Sequence, residues 1–164
     1  MSAVVAFVVA FVAMEGVSYA THRWLMHGPG MGWHASHHAP AQGRFERNDL
    51  FPLVFSVIGF VAFAIAAAGL VPGYVWWAAA GITTYGVAYL LVHELVIHRR
   101  LGGMRPRGRY LRWVRDSHGS HHVDGGEPFG MLLPLMPRRQ RERQALTHRE
   151  RASDDDSLVR RAGR

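Results

Sequence analysis

Residues 50–92 read LFPLVFSVIGFVAFAIAAAGLVPGYVWWAAAGITTYGVAYLLV, and none of them carries a charge. The turn Val71-Pro72-Gly73-Tyr74 divides the stretch into two apolar blocks, Leu50–Val71 and Gly73–Val92. A helix needs about 20 apolar residues to cross the hydrocarbon of a bilayer, and each block meets that length. The turn is too short for anything but a tight hairpin, so the two spans run in opposite directions. Pro52 falls just inside the start of the first span, where its missing N–H costs little. Trp76 and Trp77 begin the second span and suit an aromatic anchor at the far interface.

Working outward, Met1–Met14 forms a third uncharged block, followed by Glu15-Gly16-Val17. A cleaved signal peptide would need a basic start and a small-residue cleavage site. No basic residue precedes Arg23, and cleavage near Ala20 would leave His22 almost at a terminus, so the block reads as a retained span. Toward the other end, Phe129–Met136 is apolar but too short to span, and it contains Pro134. It reads as an interfacial or re-entrant segment, or as a lid over a site. The fold class expected is therefore all-α: an integral membrane helical bundle of three to four spans with a histidine-rich cap. Residues 1–137 form the membrane-embedded domain, and 138–164 form a charged tail, a short helix fraying into disorder.

All nineteen basic residues are arginine, and the net charge is +7. The arginines avoid the apolar blocks and gather after the first and third of them, which under the positive-inside rule makes those segments cytoplasmic. Between Arg99 and Arg115 lie seven arginines and no acid. That run reads as a stripe held against anionic headgroups, or as a docking face for an acidic electron donor. No nucleic-acid-binding motif accompanies the charge, so nucleic acid is not an expected partner. Cysteine is absent, which excludes disulfides, thiolate metal sites and cysteine nucleophiles.

Ten of the eleven histidines fall into one pattern that occurs twice. His22 and His27 form H-x4-H and His34, His37 and His38 form H-x2-H-H. His93 and His98 then repeat the first spacing, and His118, His121 and His122 the second. His148 stands alone in the tail. Each H-x4-H closes an apolar span, so the deduced topology puts all ten on one side of the membrane. Neutral imidazole is the commonest protein ligand for transition metals, and two matched sets point to a site for two of them. On a helix, residues i, i+3 and i+4 share a face, so each H-x2-H-H projects together. In H-x4-H the offset is about 140°. Those pairs either contact different metals or sit where the helix loosens.

All-nitrogen ligation suits iron, zinc, copper or nickel, and ten ligands exceed the four that a structural zinc needs. Attack on an unactivated C–H bond requires a metal and dioxygen, which protein groups cannot replace. Residues that orient the ligands are sought nearby. Glu15, two turns before His22, is the first such candidate because an ionisable group inside a span is functional by default. Tyr19 and Tyr89, four residues before His22 and His93, are further candidates, with interface tyrosines as their alternative. Glu94, Asp49, Asp116 and Asp124 are weaker candidates for the same role and read better as surface residues. Trp24, Met26, Trp33 and Phe129 are candidate pocket walls, with ordinary packing as their alternative. No protein side chain is assigned as catalytic, since the metals carry the chemistry.

The chain resembles the bacterial beta-carotene hydroxylases of the fatty acid hydroxylase/sterol desaturase superfamily. The resemblance runs through Met14-Glu15, residues His22–Gly28 (HRWLMHG), Gly32–His38 (GWHASHH), Phe45–Leu50 (FERNDL), Thr84-Tyr85-Gly86, His93–His98 and Ser117–His122 (SHGSHH). It covers about residues 1–135. Glu94 stands where members commonly have aspartate, and Gly119-Ser120 replaces bulkier residues; neither change removes a ligand. The resemblance implies a non-haem di-iron monooxygenase that hydroxylates C3 of each beta-ionone ring, taking beta-carotene through beta-cryptoxanthin to zeaxanthin. It implies dioxygen as co-substrate and a ferredoxin with its reductase as electron source. Zinc also binds such donor sets and can replace iron in a purified sample. The location implied is the bacterial inner membrane, multi-pass, with the histidine clusters and C-terminus cytoplasmic. The rival readings are a carotenoid C4 ketolase or a lipid hydroxylase or desaturase with the same ligands. A metal transporter is more remote, because spans two and three carry no ionisable path. The sequence assigns neither individual histidines to individual metals nor an oligomeric state.

Overall fold

The architecture was obtained as a computed structural model, which describes residues 2–39, 43, 45–139, 141, 142, 145 and 146. The expected fraying tail falls largely outside the described residues, as does His148. Among the described residues there is no strand. Among the described residues, five complete α-helices run in chain order: α1 (Ala3–Ala20), α2 (Met31–His38), α3 (Leu50–Ala67), α4 (Tyr74–Leu90) and α5 (Gly108–Asp124). Three of them lie in stretches long and apolar enough to cross a membrane: Ala3–Met26, Arg47–Ala67 and Tyr74–Ile97.

The surface of these spans is what a lipid environment demands. In the most apolar windows of the first two, 6% of residues are buried within the protein. Val4, Val12, Leu53 and Phe60 all face outward, Phe60 at 74% exposure. An apolar surface of this extent is not left to water. Helix α4 packs on both α1 and α3, so it is the central span. Its contact with α1 is backbone-close: a Cβ at Gly81 would collide with the Phe7 carbonyl and stand 3.2 Å from the Ala10 methyl. Ala6 and Ala79, buried at the same contact, are small for the same reason.

The two shorter helices form the cap. Helix α2 follows span one after the Gly28-Pro29-Gly30 turn and packs on the 3₁₀ turn Arg47–Asp49 that leads into α3. Helix α5 packs on the end of span three, Leu91–Ile97. After α5 the chain runs through residues 125–137 without regular structure. Phe129, Met131 and Met136 are buried there. The segment Phe129–Met136, for which a lid was one of the sequence readings, lies against the cap and span one.

Candidate metal centre

Both H-x4-H pairs sit where the α-helix loosens. Residues Thr21–Met26 continue α1 as a π-helical turn, and Leu91–Ile97 continue α4 in the same way. The His27 N–H donates to the His22 carbonyl at 3.1 Å, and the His98 N–H to that of His93 at 3.0 Å. Closing the backbone five residues apart turns residues i and i+5 toward one side, which an α-helix does not do. The rings of His22 and His27 are consequently 5.2 Å apart, and those of His93 and His98 4.5 Å. Of the two options the spacing left open, loosening is the one adopted.

The imidazoles meet in two groups. His22, His27, His34, His38 and His121 form one, and His37, His93, His98 and His118 the other; within each, the ligand nitrogens all lie within 4.8 Å of one another. His122 lies between them, its Nε2 2.8 Å from that of His118 and its ring 4.6 Å from those of both His37 and His38. Each H-x2-H-H motif is thus shared. His34 and His38 serve the first group while His37, on the same helix face, reaches the second. His121 crosses in the opposite sense from α5. The two halves of the chain are interlocked through these two middle histidines.

Outer partners fix the tautomers. The His22 Nδ1–H donates to the Phe129 carbonyl at 3.0 Å, and that of His34 to Asn48 Oδ1 at 2.8 Å. The His121 Nδ1–H donates to the Gly126 carbonyl. In the second group the acceptors are carboxylates: Glu46 Oε2 for His37 at 3.2 Å and Glu94 Oε1 for His93 at 2.7 Å. Arg100 ties that side together, pairing with Glu94 at 2.8 Å and with both oxygens of Asp49. An imidazole that donates from Nδ1 presents a bare lone pair at Nε2. His22 Nε2 faces His34 Nε2 at 3.2 Å, and His37 Nε2 faces His93 Nε2 at 3.0 Å. Each contact sets two lone pairs against each other, with no proton left to lie between them.

Protonation of His34 or His37 does not relieve this. Burial, opposed in part by the Asn48 hydrogen bond, takes His34 down to about 4. Burial also lowers His121 to about 4, against the pull of the Gly126 carbonyl. His98 goes to about 3 and His122 to about 2, through burial and then through neighbouring imidazoles. Burial and the neighbouring rings likewise hold His37 and His118 well below the usual histidine range. These six imidazoles are held toward the neutral form that metal binding requires. The donor chemistry, the fixed tautomers and the opposed lone pairs all fit a bound cation in each group.

The ten histidines singled out by sequence are therefore brought together, all of them at one end of the spans. Tyr89 stacks on His93 with ring centroids 5.1 Å apart. Tyr19 donates to Glu127 at 2.7 Å, and Arg23 also pairs with that carboxylate. Glu15 stands one step further out: its carboxylate accepts from Tyr85 and from the backbone N–H groups of residues 131–133, and the carbonyls of Phe129 and Gly126, earlier in the same loop, receive His22 and His121. Glu94, read from sequence as a surface residue, orients His93 instead. Asp49 holds Arg100, and Asp116 pairs with Arg115 at the surface. Asp124 ends α5. Of the candidate walls, Phe129 covers the first group, its ring 5.2 Å from those of both His27 and His121. Met26 is buried, Trp24 is exposed, and Trp33 packs on Phe51. Sequence reasoning assigned no role to Glu46, Asn48, Arg100 or Glu127, nor to the carbonyls of Gly126 and Phe129. Glu46 and Asn48 lie in a stretch that carried the family resemblance, which was their one signal; backbone carbonyls leave none.

Comparison with known proteins finds a matching family and curated relatives. Residues 7–139 match the fatty acid hydroxylase family model. A beta-carotene hydroxylase of Pseudescherichia vulneris is 38% identical over 135 residues, covering 79% of this chain and 76% of that protein. One from Pantoea ananas is 36% identical over 129 residues, 76% of this chain and 73% of that protein. Beta-carotene 3-hydroxylase 1, chloroplastic, of Arabidopsis thaliana is 40% identical over 129 residues, 76% of this chain and 42% of that protein. No solved structure is significantly similar.

Proposed function

We propose, on the premise that the chain belongs to the fatty acid hydroxylase family, that it is a membrane beta-carotene 3-hydroxylase working through two non-haem irons. The observation that carries the metal reading is the pair of opposed lone-pair contacts, His22–His34 and His37–His93, which neutral imidazoles do not hold without a cation. His22, His27, His34, His38 and His121 would hold one ion, and His37, His93, His98 and His118 the other, with His122 beside both. When bound, iron supplies the dioxygen chemistry that amino-acid side chains lack, given two electrons from a ferredoxin and its reductase. The overall balance is one ring C–H, O2, two electrons and two protons giving one C–OH and one water.

The chain's own residues position and protect. Phe129 lies against His22, His27 and His121 and keeps water from that side of the first group. Glu46 and Glu94 hold the rings of His37 and His93 in the ligating tautomer; Asn48 and the Phe129 and Gly126 carbonyls do so for His34, His22 and His121. The carotenoid partitions into the bilayer and reaches the cap between the spans. Its ring must be placed so that C3 is attacked although C4 is allylic, so selectivity lies in orientation. The protein is read as a multi-pass protein of the bacterial inner membrane, with the histidine cap on the cytoplasmic side where its arginines gather.

Expression in a beta-carotene-producing bacterium, with aeration and a co-expressed ferredoxin, tests the assignment. Accumulation of beta-cryptoxanthin and zeaxanthin is expected. Ketocarotenoids would instead indicate a C4 ketolase, and unchanged pigment would contradict both.

A further inference from the structure

We propose that Glu15 is a positioning residue, which from within span one clamps residues 131–133 and so keeps the lid closed on the five-histidine group. Its Oε1 accepts from the backbone N–H of Met131 at 2.8 Å and of Leu133 at 2.9 Å. Its Oε2 accepts from the Leu132 N–H at 3.1 Å and from the Tyr85 hydroxyl at 2.7 Å. Three successive N–H groups outside any helix are thereby satisfied by one carboxylate of a membrane-capable span. The sequence makes room for this: a Cβ at Gly130 would stand 2.9 Å from Glu15 Oε1 and 2.7 Å from the Leu133 carbonyl oxygen.

The clamp acts on the site at a distance. Two carbonyls just before the clamped residues, those of Gly126 and Phe129, receive the Nδ1–H of His121 and His22. Both histidines belong to the five-member group. Tyr110 on α5 adds a bond to the Leu132 carbonyl at 2.8 Å. The four-member group draws on Glu46 and Glu94 instead, which lie on other elements. Release of the lid therefore disturbs one group and spares the other.

The experiment uses the full chain in detergent or nanodiscs and takes advantage of its lack of cysteine. Met131, 2% exposed, is replaced by cysteine as a reporter (Met131→Cys), and its rate of maleimide labelling is measured. Adding Glu15→Gln puts an amide N–H2 among backbone donors, and labelling is expected to accelerate roughly tenfold through local opening of the lid. The same variant is expected to retain one metal ion per chain where the parent holds two. Glu15→Asp withdraws the carboxylate by one methylene and is expected to move both readouts in the same direction. Slow labelling in both variants overturns the proposal, as does fast labelling with both ions retained or both lost. The metal readout rests on the two-metal reading above, whereas labelling does not. Should the parent bind no metal, that reading fails alone, and fast labelling upholds the clamp while slow labelling overturns it.

Discussion

Replacing Glu94 by glutamine changes one atom and tests how the four-histidine group is held. The bond from His93 Nδ1–H to Glu94 Oε1 is 2.7 Å long and charge-assisted. Such bonds contribute about 1.5–3 kcal/mol against about 0.5–1.5 kcal/mol for neutral ones, so the exchange costs roughly 1–1.5 kcal/mol. At about 1.4 kcal/mol per decade this is close to a tenfold loss of metal affinity. Arg100 makes the loss larger. Its guanidinium holds Glu94 Oε2 at 2.8 Å and repels an amide N–H2 there, so the glutamine turns its carbonyl to Arg100. The amide N–H2 then faces His93, whose Nδ1 must accept, and the ring proton moves to Nε2. That nitrogen faces His37 at 3.0 Å and is the one needed for ligation. The expected loss therefore approaches the upper end of the roughly 10–100-fold range for such outer partners. Chelator competition reads it most cleanly in a His121→Ala background, where the four-histidine group carries the remaining ion. In a His98→Ala background the same substitution should leave affinity for the remaining ion within about twofold, since Glu94 contacts no member of the other group. Equal losses in both backgrounds, or none in either, would refute the reasoning.

Asn48→Leu keeps the volume but removes the acceptor for His34 Nδ1–H; metal-free stability should fall by about 1–3 kcal/mol, and the five-histidine ion should be lost first, read by urea titration and metal content. Acid should destabilise the metal-free protein: His34 and His121 stay neutral when folded down to about 4, while unfolded histidine protonates below about 6.5. Between those values the unfolded chain binds more protons, so stability falls as pH falls, by on the order of 3 kcal/mol per histidine over the window. A melting temperature that is flat or rises from pH 7 to pH 4.5 in chelator would contradict this. Gly81→Val should separate α1 from α4, at a cost of about 1–3 kcal/mol, and lower the melting temperature with little change in the cap's metal affinity.

The spans were legible because length and the absence of charge are properties of contiguous sequence, and the membrane-facing surfaces need no tertiary information. The ten ligands were legible through repetition of one spacing. Their division was not: His37 and His38 are neighbours on one helix, and only the meeting of His37 with His93 and of His38 with His27 and His121 sends them to different groups. The π-helical turns at residues 21–26 and 91–97 were one of two options the spacing allowed, and the backbone had to be seen to choose. Glu94 read better as a surface acid; its bonds to Arg100 and His93 turn it inward. The lid's part was hidden for a plainer reason. Its contributions are carbonyl and N–H groups, which every residue carries, so no side-chain pattern announces them.

The metal content of the purified, iron-reconstituted chain, counted per polypeptide, tests the two-group centre most directly. Two ions per chain are predicted, one of them lost in His121→Ala and the other in His98→Ala. A parent chain holding none or one, or a single substitution that empties both positions, would contradict the two-group centre.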